Sequence, residues 1–272
     1  MTPATLQLKY KKLREILASC GSLLVAYSGG VDSSLLLKVA HDVLGDKVSA
    51  VIARSETYPK EECNSAVKFA KKLGVRYRVV DTGEFKDERF ISNTPERCYY
   101  CKKELFSKLA GIAKKEGIKY VADGSNVSDM SDFRPGTNAS KECGIRSPLR
   151  GAGFTKEDIR KLSRQLKLPT WNKPALACLA SRVPYGTRIT KDILDKIEKG
   201  EKFIRNLGLK QIRVRHHGSL ARIEVEKADL ASLVEGGIAD KIEKKFKKLG
   251  YNYVTIDLTG YRTGSMNEVL AP

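Results

Sequence analysis

Leu23-Leu24-Val25-Ala26-Tyr27 followed by Ser28-Gly29-Gly30-Val31-Asp32-Ser33-Ser34 is the stretch that decides the fold. The first five residues read as a buried strand. Leu35-Leu36-Leu37-Lys38-Val39-Ala40, beyond the turn, reads as a helix packed on that strand. Two glycines at a strand-to-helix turn let backbone N–H groups close on an anion without Cβ obstruction. The helix N-terminus adds its positive end. Ser33 and Ser34 supply hydroxyls, and Asp32 is a carboxylate able to hold Mg²⁺ against phosphates. No Gly-Lys-Ser/Thr follows, so this is not the Walker A pattern.

Working outward, the first part of the chain alternates strand and helix. Strands are expected at 22–27, 48–53, 75–80 and 119–122, and helices at 7–19, 33–43, 59–73 and 102–116. Pro59 at a helix start and Gly74 just past a helix end fit the usual asymmetry. This alternation predicts an α/β fold, a doubly wound parallel sheet with its ligand at the carboxyl ends of the strands. Thr155 is an N-cap for a helix reaching Leu166, with Pro169 just beyond. From Trp171 to Thr190 the chain reads as loop. A helix over 193–207, strands over 211–216 and 220–226 joined through His217-Gly218-Ser219, a further helix within 228–249 and a strand over 253–258 then suggest a smaller α+β domain. The expected division is residues 1–187 and 188–272.

The chain has 272 residues and a formal net charge of +18. Such charge invites a nucleic-acid reading. However, acids are interleaved with the bases, as in Lys60-Glu61-Glu62, and aromatics do not alternate with the basic runs as stacking platforms. The charge suits a phosphorylated small ligand, and nucleic acid is not the expected partner. No apolar run approaches a membrane span, and Met1–Lys12 lacks a signal core, so a cytoplasmic location is expected.

Six cysteines in that setting point to metal or reactive roles rather than a disulfide framework. Cys98-Tyr99-Tyr100-Cys101 is a C-x-x-C expected just before a helix, where the helix dipole and Arg97, Lys102 and Lys103 would lower the thiol pKa values. By itself the pair fits half a zinc site, a redox pair or part of an iron–sulfur site. Cys178 lies in a constrained loop between Lys173 and Arg182. Three such thiolates can hold a [4Fe-4S] cluster and leave one iron open. Cys20, Cys63 and Cys143 lack ligand spacing and are expected to be structural.

The Ser28–Ser34 turn resembles the PP-loop of ATP pyrophosphatases, which split ATP between the α and β phosphates. Several further segments coincide with one family: Glu96–Lys102, Asp123-Gly124-Ser125-Asn126, Asp132-Phe133-Arg134-Pro135-Gly136, Pro174–Gly186, Ile212–His217 and Gly260–Asn267. Together they make the chain similar to the ATP-dependent sulfur transferases of the LarE family, over nearly its whole length. The resemblance implies an enzyme of nickel-pincer nucleotide cofactor biosynthesis. Its substrate is a small nucleotide, pyridinium-3,5-biscarboxylic acid mononucleotide. ATP and Mg²⁺ adenylate a carboxylate, pyrophosphate leaves, and a sulfur nucleophile forms the thiocarboxylate and releases AMP.

The resemblance implies roles for Ser28, Gly29, Gly30, Asp32, Ser33, Ser34, Gly124 and Asn126 in ATP binding, and for Arg182, Arg213 and Arg215 in substrate binding. Arg134 is a further phosphate candidate. Some members sacrifice the cysteine matching Cys178 and lack the C-x-x-C. Others hold a [4Fe-4S] cluster on three cysteines, and Cys98, Cys101 and Cys178 match that branch. A homo-oligomer and the other enzymes of the pathway are the expected partners. The competing reading is a tRNA thiolase, some of which also join a PP-loop to three cluster cysteines. Against it, Val31 stands where the usual turn has Lys, and no zinc ribbon or separate RNA-binding domain is recognisable.

Overall fold

In a computed structural model, residues 3–131, 135–174 and 177–270 are described. Arg134 therefore lies outside the described residues. The chain divides into two compact units, Met1–Phe90 with Glu96–Ala175, and Ile91–Pro95 with Leu176–Pro272.

The first unit is built on four parallel strands, β1 (Leu23–Ala26), β2 (Val48–Arg54), β3 (Arg76–Asp81) and β4 (Tyr120–Ala122). Their order in the sheet is β3-β2-β1-β4. β1 pairs with β2 from Leu23↔Val48 to Ala26↔Val51, and with β4 from Leu23↔Tyr120 to Val25↔Ala122. Strands covered on both faces must be apolar along their length, and Leu23, Leu24, Val25, Val48, Ala50, Val51 and Ile52 are all buried. One face packs Val25, Ala50 and Ile52 with Leu13, Leu17, Leu35, Leu36, Ala66, Ile159 and Leu162. These come from helices Pro3–Ala18, Val31–Leu44, Lys60–Leu73 and Lys156–Gln165. The other face packs Leu24, Val51 and Val121 with Phe106, Leu109 and Ala113 of helix Arg97–Lys115.

The strand order reverses direction between β1 and β4, because β2 and β3 lie on one side of β1 and β4 on the other. That switch point opens a crevice at the carboxyl ends of β1 and β4. The Ser28–Ser34 turn leaves β1 there, and Asp123-Gly124-Ser125-Asn126 leaves β4.

The expected strands appear within a residue or two; the first helix, Pro3–Ala18, begins four residues before its expected start, and two later helices differ further. Helix Arg97–Lys115 begins five residues before its expected start, so Cys98 and Cys101 lie in its first turns rather than ahead of it. Gly136 packs closely on this helix start, since a Cβ there would stand 3.2 Å from the Cys98 carbonyl oxygen and 2.5 Å from Lys102 Cδ. In the second unit, the helix expected within 228–249 is two helices, Leu230–Val234 and Ile238–Lys248. Gly236 and Gly237, both at positive φ, divide them.

The second unit carries a three-stranded sheet, β5 (Ile212–His217), β6 (Leu220–Val225) and β7 (Tyr253–Ile256), in that order. β5 and β6 are antiparallel, and β6 and β7 are parallel. Helix Lys191–Asn206 packs on β5 and on helix Ile238–Lys248. Gly200 makes room for Phe246, whose ring lies 2.9 Å from where a Cβ would stand. The short segment Ile91–Pro95 joins this unit through Asn93, which is buried at φ 59. The Asn93 Nδ2 donates to the carbonyls of Val183, Pro184 and Thr187 at 3.3, 2.7 and 3.0 Å.

Gly124 packs directly on the start of helix Val31–Leu44, and a Cβ on it would stand 2.9 Å from the Ser33 nitrogen. The three nearest atoms, Ser33 N and Cα and the Asp32 carbonyl carbon, all belong to backbone, so none can swing aside. Gly124→Ala should destabilise the protein by about 1–3 kcal/mol, read as a lower urea midpoint at unchanged slope.

Candidate functional site

The turn after β1 is shaped by its own backbone. Gly29 has φ 74, in the left-handed region, and a Cβ there would stand 3.0 Å from Ala66 Cβ on helix Lys60–Leu73. Glycine is therefore required twice over. Gly30 is the N-cap residue of helix Val31–Leu44, with no side-chain cap. The first N–H groups of that helix thus have no side chain of a capping residue on them, which is the condition for receiving an anion. The Ser33 hydroxyl sits under the turn, 3.1 Å from Ser28 Oγ and 3.3 Å from the Ser28 nitrogen. The Ser34 hydroxyl lies 3.2 Å from that of Tyr27, a buried phenol pushed up to about 12 by burial.

Asp32 lies in the first helical turn, aimed at the segment after β4. Asn126 Nδ2 donates to Asp32 Oδ1 at 3.3 Å, and Lys156 Nζ bonds Oδ2 at 2.5 Å. Asn126 is itself fixed, because its N–H donates to Asp129 Oδ2 and its Oδ1 accepts from the Ser128 N–H, both at 2.9 Å. Asp123 gathers the hydroxyls of Ser125 and Ser147, each at 2.7 Å. Of the expected ATP residues, Ser28, Gly29, Gly30, Asp32, Ser33, Gly124 and Asn126 meet at one crevice, while the Ser34 hydroxyl is buried against Tyr27.

Three residues of this crevice went unread in the sequence. Lys156 follows the Thr155 N-cap, which is present as expected and is completed by a capping box with Asp158. A lysine at a helix start opposes the helix dipole. The nearby acids are occupied, Glu157 by Lys161 and Asp158 by Lys9, which leaves Lys156 to Asp32. A cation at a helix start was the available signal. Lys173 Nζ donates to the Gly29 carbonyl at 3.0 Å and to Glu62 Oε2 at 2.5 Å. Neither Lys173 nor Glu62 carries a sequence signal for that contact.

Cys98 and Cys101 belong to the first unit, three residues apart on one helical face, as partly exposed cysteines outside any disulfide. Among the described residues no three His, Cys, Asp or Glu side chains are gathered as a metal ion requires.

Cys178, Arg182, Arg213 and Arg215 belong to the second unit. Cys178 is a partly exposed free thiol at the N-cap of the short helix Leu179–Arg182. Its carbonyl accepts from the Ser181 N–H at 3.0 Å, the Ser181 hydroxyl at 2.8 Å and Arg182 Nη1 at 2.9 Å. Arg182 is 1% exposed. Its Nε and Nη2 donate to Glu201 at 2.8 and 3.1 Å, and Nη1 also reaches the Ala177 carbonyl at 2.6 Å. Glu201 in turn accepts the Val214 N–H of edge strand β5 at 3.1 Å. Arg182 is thus a scaffold for the Cys178 loop.

Arg213 and Arg215 share one face of β5, as the alternation requires. Arg215 Nε and Nη2 form a two-point pair with Glu224 at 2.9 and 2.6 Å, and Nη1 reaches the Ser181 carbonyl at 3.0 Å. Ser265 Oγ bridges Arg215 and Glu224 at 2.8 and 3.1 Å. Arg213 lies over the Tyr261 ring, 5.1 Å from its centroid. Burial and the neighbouring Arg182 charge push the Arg213 guanidinium down to about 10, and it stays cationic at neutral pH.

Burial works to raise the Glu201 pKa, but the charge and hydrogen bonds of Arg182 outweigh it and hold the carboxyl below its ordinary value. A depressed carboxyl stabilises the fold fully above its unfolded-state value of 4.5, and that stability is lost as pH falls through the folded-state value. Glu201→Ala should cost about 3–5 kcal/mol at neutral pH by leaving Arg182 buried and unpaired. Its stability should also fall less between pH 5 and 3 than that of the parent, in urea titrations over that range.

A family model described as NAD synthase matches residues 6–97, the part that holds the anion-binding turn. The chain is 41% identical over 268 residues to a pyridinium-3,5-bisthiocarboxylic acid mononucleotide synthase of Lactiplantibacillus plantarum, covering 98% of this chain and 96% of that one. It is also 41% identical over 265 residues to an uncharacterized protein of Synechocystis, covering 97% and 99%. A tRNA-specific 2-thiouridylase of Thermoanaerobacter is 28% identical over 219 residues, covering 65% of this chain and 60% of the relative.

Proposed function

This chain belongs to the LarE family of PP-loop sulfur transferases, and from that premise we propose that it converts carboxylates of pyridinium-3,5-biscarboxylic acid mononucleotide to thiocarboxylates at the expense of ATP. The observation that carries this reading is the crevice at the switch point, where an open helix start, Ser28, Gly29, Gly30 and a magnesium-competent carboxylate converge. The 41% identity along almost the full length of both chains favours this substrate over tRNA, for which the likeness falls to 28% over part of each chain.

A carboxylate is a poor electrophile. Attack of its oxygen on the α phosphorus of ATP expels pyrophosphate and leaves an acyl-adenylate. A sulfur nucleophile then attacks the acyl carbon, and AMP departs with the electron pair of the broken C–O bond. Positioning and charge neutralisation supply the catalysis in such a step. The N–H groups of the turn and of the helix start would hold the leaving pyrophosphate. Asp32 would take Mg²⁺, which requires Lys156 to release Oδ2 and turn its ammonium toward the phosphates.

Cys98, Cys101 and Cys178 are the cysteines whose donor chemistry suits a [4Fe-4S] cluster, three thiolates with one iron left open. When bound, that group would supply an exchangeable sulfide. Arg182 and Arg215 are engaged by Glu201 and Glu224, so their share in substrate binding is to hold the Cys178 loop and the β5 face. Arg213, held over the Tyr261 ring, would meet the phosphate or a carboxylate of the substrate. The protein would act in the cytoplasm as a homo-oligomer beside the other enzymes of the cofactor pathway.

Asp32→Ala should abolish pyrophosphate release while circular dichroism stays that of the parent, and a variant releasing pyrophosphate at the parental rate would remove Asp32 from the site. The sulfur source is decided by anaerobic purification followed by iron analysis and mass spectrometry after turnover. Cluster ligation predicts that alanine at 98, 101 or 178 lowers bound iron and that Cys178 keeps its mass. Loss of one H₂S from residue 178 in an iron-replete sample would make the cysteine itself the sulfur donor.

A further inference from the structure

The ammonium of Lys173 lies between two groups of the first unit, the Gly29 carbonyl at 3.0 Å and Glu62 Oε2 at 2.5 Å. It comes from the loop beyond helix Lys156–Gln165, and Glu62 comes from the first turns of helix Lys60–Leu73. The same helix presses Ala66 on Gly29. The pair is largely shielded, with 19% of the Lys173 and 22% of the Glu62 side chain exposed.

A peptide unit is planar and trans, so its C=O and N–H point in opposite directions. Fixing the Gly29 carbonyl therefore fixes the direction of the Gly30 N–H. The peptide needs such a fixture. Glycine populates both signs of φ about equally, so Gly29-Gly30 can reorient its shared peptide at little cost. The Gly30 N–H itself has only a long contact within the turn, 3.4 Å to Ser28 Oγ. The Lys173 bond is charge-assisted and partly shielded from water, which places it among the stronger hydrogen bonds.

We propose that Lys173 is a positioning residue of the anion-binding turn: by holding the Gly29 carbonyl it turns the Gly30 N–H toward the triphosphate. This rests on the reading of the turn as the ATP site. Glu62 serves to hold the ammonium at the carbonyl. The preorganisation precedes substrate, so its loss is felt in ATP affinity. The chemical step changes less, because bound triphosphate can itself orient the peptide.

The test compares the parent protein with Lys173→Met, Lys173→Arg and the double variant Lys173→Met/Glu62→Gln. Calorimetry with ATP and Mg²⁺ gives affinity, initial rates of pyrophosphate release give KM and kcat, and the amide resonance of Gly30 reports the peptide. Lys173→Met should weaken ATP by about tenfold or more, the equivalent of one charge-assisted hydrogen bond, with kcat changed less than KM. Lys173→Arg should recover part of that affinity, and the Gly30 amide should shift in Lys173→Met before nucleotide is added. The double variant separates positioning from charge. If Lys173→Met binds weakly only because an unpaired Glu62 repels ATP, removing that charge restores affinity, and the inference is overturned. Parental affinity in Lys173→Met overturns it as well. A parent protein that fails to bind ATP refutes the ATP reading of the turn, a result distinct from either.

Discussion

The contact of Gly124 with the backbone of Ser33 is the constraint on which the first unit's site depends. β4 is three residues long and leaves the sheet immediately beside β1. Only a residue without Cβ lets the chain beyond it lie against the start of helix Val31–Leu44. That approach brings Asn126 to Asp32, and the turn that follows holds the Lys156 N–H through Ser128 Oγ at 3.1 Å. One missing methyl group thus brings a helix start, a carboxylate and an ammonium to the same crevice. The neighbouring Asp123 reinforces it by collecting hydroxyls from Ser125 and Ser147.

The second unit solves a different problem, how to keep several cations under cover. Arg182 and Arg215 are each matched by a two-point carboxylate, Glu201 and Glu224, and the remaining donors go to carbonyls of 177, 178 and 181. Charge is buried here with its hydrogen bonds satisfied, the condition under which burial is tolerated. The consequence is a cysteine loop whose backbone is over-determined while its thiol stays partly exposed. A thiol held in that way has little backbone freedom left to lose, because the chain that carries it is already fixed.

Much of this was legible in the sequence, for identifiable reasons. The parallel sheet announced itself through the alternation of strand and helix, and the anion-binding turn through Gly29-Gly30 between strand and helix. The Thr155 cap followed from its residue type. What was hidden depended on contacts distant in the chain. Nothing local tells a reader that Lys173 meets Gly29, 144 residues away. The carboxylates that hold Arg182 and Arg215 lie on a helix and on another strand, Glu201 and Glu224, so neither pairing shows in the sequence around the arginines. The start of helix Arg97–Lys115 lies against Gly136, a contact 38 residues away from Cys98 that local sequence does not show. Gly236-Gly237, by contrast, was a local break within an otherwise helical run, and local glycine chemistry sufficed to produce it.

The Asn93 clip has a consequence for the order in which the protein is made. Its amide waits for carbonyls 90 to 94 residues downstream. At a synthesis rate of about 5–20 residues per second, that interval lasts about 5–20 seconds. The four strands of the parallel sheet, which end at Ala122, are complete within it. The chain therefore carries Ile91–Pro95 as an unfilled socket while its first sheet assembles. The segment that closes the second unit is thus synthesised well before the carbonyls it holds.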